Sequence, residues 1–392
     1  MSALLNLFYL YDPWLFHFLR MSFVAGGIAL CWLGYRLYAK KLPAGIAVPK
    51  DSLLVLIGLI LLSLVPLAVN GTTDFSVFLM YVKALLLFLF GLALYNLCYA
   101  QEGGQHRLIA DLQKGIILQA LVGLLALCGI SFVIDFALST NVPLPRFYGS
   151  EQEYRLYNIT SSAFFQLSAF YLMLLHFLLA YNQKHNSISS FYLLLLLFIG
   201  LLSGRTFFMF SLLSVLLYFK LRYIPALVVF MALVLFIAKC YPHNPYVAHA
   251  LEPVINLLNG GKSVSSSTDT LMQKHLFIPT LQQMISGDGY YFTAQKSYYG
   301  GTDSGFLRQI LYGGLGYCFV CFAFTAYFVR KIALNWFDGS WKFTLSALGL
   351  LSILNIKADT YAFPGIMLIM LMFLSLFGTD GSRMILFQQQ RN

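Results

Sequence analysis

Apolar segments long enough to cross a lipid bilayer recur along almost the whole chain. A transmembrane helix needs about 20 mostly apolar residues. Such runs, some of them short, occupy residues 14–37, 53–69, 76–98, 115–138, 161–181, 191–202, 207–219, 224–241, 305–329, 343–356 and 364–377. Because backbone groups in hydrocarbon must bond to one another, we predict an all-α polytopic membrane protein with about eleven transmembrane helices (about 10–12). The whole chain, 1–392, then forms a single transmembrane domain.

Composition excludes a soluble protein and a nucleic-acid partner. Hydrophobic residues make up 59% of the chain and charged residues only 10%, whereas about a quarter of the residues in a soluble domain are charged. The net charge of +10 resides mostly in short loops between apolar runs. This pattern sets the topology of membrane proteins, so the main surroundings of the chain are expected to be lipid.

The basic loops also predict an orientation. With eleven spans, they all fall on one side, which the positive-inside rule makes cytoplasmic. The N-terminus is then external and the C-terminus cytoplasmic. Two long segments, 139–160 and 242–304, remain on the external side. In the second, 259–268 is rich in Ser and Gly and is expected to be flexible, and 269–285 is expected to form a surface helix that Pro279 kinks or divides. Residues 4–11 are too short to span and predict an interfacial helix or a partial span.

Ionisable residues gather near the predicted external ends of the spans. They are Lys83 in the third span, Arg155 before the fifth, Arg205 in the turn Ser203-Gly204-Arg205-Thr206, Asp303 and Arg308 at the start of the ninth, and Lys357 with Asp359 between the last two. An ionisable group at this depth costs a few kcal/mol unless it is paired or faces a water-filled cavity. The planar fork of Arg matches phosphate oxygens. We therefore expect these cations to converge on a pyrophosphate.

A structural alternative exists for each of these residues. Each Arg can pair with a nearby carboxylate or extend to the interface, although the tight turn at Arg205 offers no local acid. Asp303 fits a helix N-cap as well as a general base, and Asn158 or Thr160 fits a cap for the fifth span. The remaining alternatives are solvated loop charges at Arg146, Glu151 and Glu153, close helix packing at Gly313, Gly314 and Gly316, and a structural role for His275, which follows Lys274.

Four motifs in this order resemble a known family. They are Arg155-Leu before a span, Ser-Gly-Arg205-Thr between two spans, an external loop with a surface helix ending in Gly287-Asp-Gly289, and Asp303-Ser-Gly-Phe-Leu-Arg308 leading into Gly-Gly-Leu-Gly316. Together they resemble the O-antigen polymerase (Wzy) family, which is related to O-antigen ligases and bacterial O-oligosaccharyltransferases. The resemblance implies a GT-C-type bundle in the bacterial inner membrane and a metal-independent glycosyltransferase without a cofactor.

The resemblance also implies substrates and partners. The donor is a growing glycan on undecaprenyl pyrophosphate, and the acceptor is a sugar hydroxyl of a newly flipped lipid-linked repeat unit at the periplasmic face. A chain-length regulator of the Wzz type and a flippase are the implied protein partners. In the related ligases an Arg at the position of Arg205 and a His at that of Asp303 are thought to serve the pyrophosphate and the acceptor. The Asp here favours a polymerase over a ligase.

Chemistry and resemblance together assign the site residues. Arg155, Arg205 and Arg308 are expected to bind the pyrophosphate, and the lesser candidates for that role are Lys83, Lys274 and Lys357. Because pyrophosphate is already a good leaving group, charge stabilisation and positioning are the main contributions. Asp303 is the expected general base, with His275 as a second candidate, and this step would add roughly 10²–10⁴ in rate.

Other functions stay open at this point. An O-antigen ligase or another oligosaccharyltransferase would use the same donor with a different acceptor. A lipid-linked sugar flippase or other transporter should carry polar groups near the midplane and a repeated half, whereas here the polar groups lie near one face and no repeat is visible. A non-catalytic membrane subunit would not require the cationic cluster.

Overall fold

The computed structural model of the chain describes residues 1–42, 44–259, 270–378 and 383–388. The described residues are mainly helical. Six of their helices are long and apolar enough to cross a membrane, namely Lys50–Asn70, Ser76–Cys98, Gly104–Leu127, Phe164–His185, Leu221–Cys240 and Gly305–Trp336. The prediction of an all-α membrane protein is thereby confirmed, while the count of about eleven spans and the GT-C-type arrangement stay predictions.

The described residues contain the α-helices α1 to α17. In chain order they are Ser2–Tyr11, Met21–Tyr38, Lys50–Leu62, Val65–Asn70, Ser76–Cys98, Gly104–Leu127, Ser131–Thr140, Phe164–His185, Ser190–Ser203, Arg205–Leu217, Ile224–Cys240, Pro245–Ala250, Glu252–Leu258, Leu281–Ile285, Gly305–Trp336, Trp341–Lys357 and Ile366–Leu374. Two short antiparallel strand pairs accompany them: Trp14–Leu15 (β1) with Leu19–Arg20 (β2), and Ile46–Pro49 (β3) with Arg383–Leu386 (β4).

Each predicted apolar run contains a helix, and the fourth run differs most from its prediction. Instead of spanning 115–138, helix α6 ends at Leu127, Gly129 adopts a φ of 80°, and the separate helix α7 follows. At its other end α6 begins well before residue 115, because its polar residues find partners. The hydroxyl of Tyr181 lies 3.0 Å from Nδ1 of His106, and Lys114 lies 3.3 Å from Asp111.

Backbone contacts divide the chain into two compact units, which we describe separately. The first unit comprises Met1–Ala25 and Gln105–Ser266, and the second comprises Gly26–Gly104 and Ser267–Asn392, in each case within the described residues. The expectation of a single transmembrane domain stays a prediction. Both long loops predicted as external contain short helical turns, among them Glu153–Leu156 in the first unit and α14 in the second.

In the first unit, helix α8 packs against α9 and α10, and α9 packs against α11. Helix α1 is buried on the face that carries Leu7 and Tyr11, which approach Gly115 of α6. This burial favours the partial-span interpretation over an interfacial helix. The carbonyl of Tyr11 accepts a hydrogen bond of 2.8 Å from Thr160.

The predicted cap of the fifth span is wrong. Helix α8 begins at Phe164, and Ala163 occupies its N-cap position without a side-chain hydrogen bond. Thr160 is engaged with α1, and the side-chain oxygen of Asn158 accepts a hydrogen bond of 3.1 Å from the hydroxyl of Tyr171. Both polar side chains are therefore used to hold the loop against neighbouring helices, where burial requires that they be hydrogen-bonded.

In the second unit, helix α15 is interrupted by a pair of glycines. Gly314 has a φ of 76°, which only glycine adopts readily, and the carbonyl of Ile285 approaches it closely. Because the helix is interrupted, some of its carbonyl groups can bond elsewhere, and the carbonyl of Leu311 accepts a hydrogen bond of 2.6 Å from the amide of Asp288. The prediction of close packing is confirmed for Gly313 and Gly314. It is wrong for Gly316, where a side chain would meet open space.

The predicted surface helix 269–285 is divided, as Pro279 suggested. A π-helical turn covers Leu271–His275, and α14 begins only after a capping box formed by Thr280 and Gln283. The apolar side chains of Ile278 and Leu281 are exposed. Except for Asn259, the flexible stretch expected at 259–268 lies outside the described residues, as does Asp269.

Adjacent glycines in α2 offer a matched test of helix packing in the second unit. A methyl group at Gly26 would overlap the side chain of Phe90 in α5, whereas one at Gly27 would meet nothing. We expect Gly26→Ala to lower the free energy of unfolding by about 1–3 kcal/mol, the usual cost of overpacking. Gly27→Ala should match the wild type or exceed it, because Ala is the better helix former. Thermal midpoints in detergent measure both, and equal midpoints would contradict this packing.

Candidate functional site

Two predicted phosphate ligands, Arg155 and Arg205, lie together in the first unit. Arg155 belongs to the helical turn Glu153–Leu156, and its Nε donates to the carbonyl of Ser203 at 3.2 Å. Arg205 begins α10 immediately after Gly204. A Cβ atom at residue 204 would lie 2.8 Å from Nη2 of Arg155. Gly204 in the Ser-Gly-Arg-Thr turn therefore leaves room for the guanidinium group of Arg155.

Arg155 is held without a carboxylate partner among the described residues. Its Nη1 donates to the side chain of Gln152 at 3.3 Å, and its guanidinium carbon lies 4.3 Å from the ring centre of Phe164. Burial and the positive charge of Arg205 lower the pKa of Arg155 to about 10. The group therefore remains charged at neutral pH and keeps donor capacity for an anion.

Arg205 does have an acidic partner, which the sequence interpretation missed. Its Nη1 forms an ion pair with Glu252, the first residue of α13. The side chains are 12% and 22% exposed, respectively. The turn offers no acid in the local sequence, and the acid comes instead from the long loop predicted as external. The only signal for it in the sequence is a carboxylate amid apolar residues in that loop.

His249 is a second residue of this cluster that sequence reasoning missed. Its Nδ1 lies 3.0 Å from the hydroxyl of Tyr154. Burial, together with the charges of Arg205 and Arg155, lowers the pKa of His249 to about 4. The imidazole is therefore neutral at pH 7 and can accept or donate a hydrogen bond.

Of the three charges predicted to be solvated in the loop 139–160, one is buried. Glu153 accepts hydrogen bonds from the backbone of Gly149 and, at 2.7 Å, from the hydroxyl of Tyr157. Arg146 and Glu151 are exposed as predicted. The prediction fails at Glu153 because the loop folds back on itself and uses the carboxylate as an acceptor.

A large apolar cavity borders the arginine pair. It has a volume of about 650 Å³ and is lined by side chains of α6, α9, α11 and α12, including Leu124, Phe198 and Ile237. Tyr154 and Leu251, which directly precede Arg155 and Glu252 in the chain, also line it. The first unit therefore joins a hydrocarbon-lined space to a polar group that contains two guanidinium ions.

In the second unit, Arg308 is enclosed rather than open. Its Nε donates to the carbonyl of Thr302 at 3.0 Å, its Nη1 to Asp359 at 2.7 Å and its Nη2 to Asp303 at 3.1 Å. Its face lies 3.2 Å from the ring centre of Tyr298. The side chain is only 4% exposed. This geometry favours a positioning role, and direct phosphate binding by Arg308 stays a prediction.

Asp303 is an accessible carboxylate of the second unit, with 56% of its side chain exposed. Its Oδ2 lies 3.6 Å from Nε2 of His275, whose Nδ1 lies 3.1 Å from the carbonyl of Gly301. Asp303 is not the N-cap of α15, because Ser304 holds that position. Arg308 fixes one oxygen of Asp303, and the other remains directed toward His275. Asp303 and His275 together are therefore a suitable candidate for a general base.

The remaining predicted site residues lie on other elements of the second unit. Lys83 is half-buried in α5, Lys274 is exposed in the π-helical turn, and Lys357 ends α16 two residues before Asp359. The contacts described above join Arg308, Asp303 and His275, and they do not involve these lysines. Joint action of Arg155, Arg205 and Arg308 on one ligand stays a prediction, since the first two belong to one unit and the third to the other.

Tyr291 contributes a further contact that the sequence did not suggest. Its hydroxyl donates to Asp359 at 2.5 Å, while its backbone amide donates to Asp74 at 2.8 Å. The buried carboxylate of Asp359 thus has two strong donors, Tyr291 and Arg308. Its role is to fix Arg308, which in turn fixes Asp303.

Removing one partner of this buried ion pair should destabilise the protein. Asp359 and Arg308 are 1% and 4% exposed, and breaking a buried ion pair costs up to about 3–5 kcal/mol, although Asp303 remains as a second, more exposed partner of Arg308. We expect Asp359→Asn to lower the thermal midpoint in detergent strongly. Asp303→Asn removes the same charge at an exposed position and should change stability by less than about 1 kcal/mol. Similar midpoints for the two variants would refute the positioning role of Asp359.

His249 predicts a pH dependence of stability. Its pKa is about 4 in the folded protein, against about 6.5 in an unfolded chain. Between these values the unfolded chain binds a proton that the folded chain does not, so folding should weaken as the pH falls from 7 to 5. His249→Gln lacks this proton, and its thermal midpoint should fall less over the same range. An identical fall in wild type and variant would show that His249 is not held neutral.

Comparison of the chain with protein-family models, curated proteins and solved structures finds no match in any of the three. The resemblance to the O-antigen polymerase family therefore stays a hypothesis from the motifs. Function has to be argued from the arginine pair and cavity of the first unit and from the Asp303 cluster of the second.

Proposed function

We propose that this protein polymerises undecaprenyl-pyrophosphate-linked oligosaccharide repeat units at the periplasmic face of a bacterial inner membrane. One observation carries the proposal: Arg155 contacts the turn that leads into Arg205, and Tyr154 and Leu251, the chain neighbours of Arg155 and Glu252, line an apolar cavity of about 650 Å³ in the same unit. A lipid diphosphate has the matching chemistry, a hydrocarbon chain joined to a polyanion. The resemblance of the motifs to the polymerase family further implies that this lipid diphosphate carries a glycan.

The two parts of the site contribute differently to binding. A polyprenyl chain that leaves the bilayer for an apolar cavity moves between two hydrocarbon media, so its transfer provides little free energy. The cavity therefore selects shape and fixes the direction of the chain. Affinity must come from the arginines, whose charge-assisted hydrogen bonds to phosphate are strong, particularly in the bidentate arrangement.

The reaction follows from this binding. A sugar hydroxyl of the acceptor attacks the anomeric carbon of the donor glycan, and the bond from that carbon to the pyrophosphate oxygen breaks. The lipid diphosphate leaves with the electron pair and gains negative charge, which Arg155 and Arg205 stabilise. A general base takes the proton of the attacking hydroxyl, and the resemblance to the polymerase family assigns this role to Asp303, with His275 as the second candidate.

The main alternative is a ligase or another oligosaccharyltransferase, because the arginine pair and the cavity would serve its donor equally well. The two enzymes differ in the acceptor, and loss of function separates them. A polymerase defect leaves single repeat units attached to the lipopolysaccharide core, whereas a ligase defect leaves no repeat units on the core.

Arg205→Ala tests the proposal in cells. In a strain that lacks the chromosomal gene, the variant should leave single-repeat glycans on the lipopolysaccharide, because the diphosphate loses its ligand. Arg205→Lys keeps the charge but loses the planar fork, and we expect only partial recovery of long chains. Gel analysis of lipopolysaccharide measures all forms.

Arg146→Ala provides the matched control, since it removes an exposed arginine from the same unit. It should support normal long chains at an equal level of membrane protein. Normal long chains with Arg205→Ala would refute the phosphate site, and a complete absence of repeat units on the core would instead favour the ligase.

A further inference from the structure

Arg155 and Arg205 differ in what holds them. Arg205 forms an ion pair with Glu252, whereas Arg155 bonds to a carbonyl, an amide oxygen and an aromatic face. Of this pair, only Arg205 has its charge balanced by a carboxylate among the described residues. A ligand diphosphate that uses both arginines must therefore compete with Glu252.

We propose that Glu252 holds the place of a phosphate group on Arg205, and that the donor's diphosphate and this carboxylate exchange there in each catalytic cycle. The inference rests on the proposed function, because it takes a lipid diphosphate as the ligand of the arginine pair. It assigns to Glu252 a positioning role: in the ligand-free state the carboxylate fixes Arg205, and after transfer it helps to displace the product.

The chemistry of the two anions permits this exchange. Carboxylate and phosphate oxygens both accept hydrogen bonds from the guanidinium fork. Arg205 and Glu252 are 12% and 22% exposed, so the protein does not fully enclose either partner, and the pair is less costly to separate than a fully buried one. Arg308 and Asp359 of the second unit, at 4% and 1% exposed, are the buried contrast.

The position of Glu252 connects the exchange to the cavity. Glu252 begins α13, and α12 immediately precedes it. Val247, Ala250 and Leu251 from this short segment line the cavity, while His249 contacts Tyr154 beside Arg155. The same stretch of chain therefore lines the apolar space, contacts Tyr154 next to Arg155 and pairs with Arg205, so displacement of Glu252 would act on a segment that also lines the cavity.

Removing the competing carboxylate should strengthen diphosphate binding. The test uses the full-length protein in lipid nanodiscs, with free undecaprenyl diphosphate as the probe. Glu252→Gln should bind this probe at least about tenfold more tightly than the wild type, because one charge-assisted hydrogen bond no longer has to be broken. Turnover under steady-state conditions should fall, since product release slows, while a single turnover should proceed at the wild-type rate.

Two further variants complete the design. Glu151→Gln removes an exposed carboxylate from the same unit and should leave the affinity unchanged. Glu252→Asp keeps the negative charge at the start of α13, where it suits the helix dipole, but shortens the reach to Arg205. Glu252→Asp should therefore also bind the diphosphate more tightly than the wild type does, so the proposal can be tested even if Glu252→Gln folds poorly.

The outcomes separate the two proposals. Weaker or unchanged binding of the diphosphate by both Glu252 variants would overturn the exchange and leave Glu252 a purely structural partner of Arg205. If the wild type binds the diphosphate no better than Arg205→Ala does, the proposed function fails instead. Tighter binding with faster steady-state turnover would also overturn the proposal, because Glu252 would then have no part in product release.

Discussion

The cost of placing a charged side chain in apolar surroundings governs this structure. Such a charge is tolerated when an opposite charge compensates it. Four ion pairs within the units meet this need: Asp12 with Arg20, Glu252 with Arg205, Asp51 with Lys331, and Asp359 with Arg308. All of these pairs except Asp12 with Arg20 join segments far apart in sequence, so the charged residues also help to specify which helices contact one another.

The charges of Arg308 and Arg155 are compensated in different ways, and the consequences for ligand binding differ. Three nitrogens of Arg308 donate hydrogen bonds, and Tyr298 covers the face of its guanidinium group. The charge of Arg308 therefore serves to hold Asp303 in place. Among the residues that the structure describes, Arg155 is compensated only by dipoles and an aromatic face. Dipoles lower the cost of burying a cation without cancelling its charge, and Arg155 therefore retains the stronger attraction for an incoming anion. Burial alone does not distinguish a structural arginine from a binding one; the partner does.

The helical, membrane-embedded character was predictable from the sequence because apolar length reports it directly. The helix boundaries were less predictable. Helix α6 begins at Gly104 because polar residues such as His106 find partners in the fold, and the length of an apolar run does not reveal such partners. Arg155, Arg205 and Asp303 were identifiable as costly charges. The pairing of Arg205 with Glu252 was not, because only the folded loop brings α13 to α10, and no local pattern encodes a contact across that distance.

A carboxylate beside Arg205 also fits the energetic demands of the proposed transfer. Tight binding of the donor before reaction would not accelerate the chemical step, because catalysis requires interactions that strengthen in the transition state. The leaving diphosphate gains charge as its bond to the sugar breaks, so the arginines attract it more strongly then than before. In the proposed exchange, Glu252 competes for Arg205 with the bound donor and with the departing diphosphate alike. Because the diphosphate carries more negative charge after transfer, its release is the step at which this competition matters most.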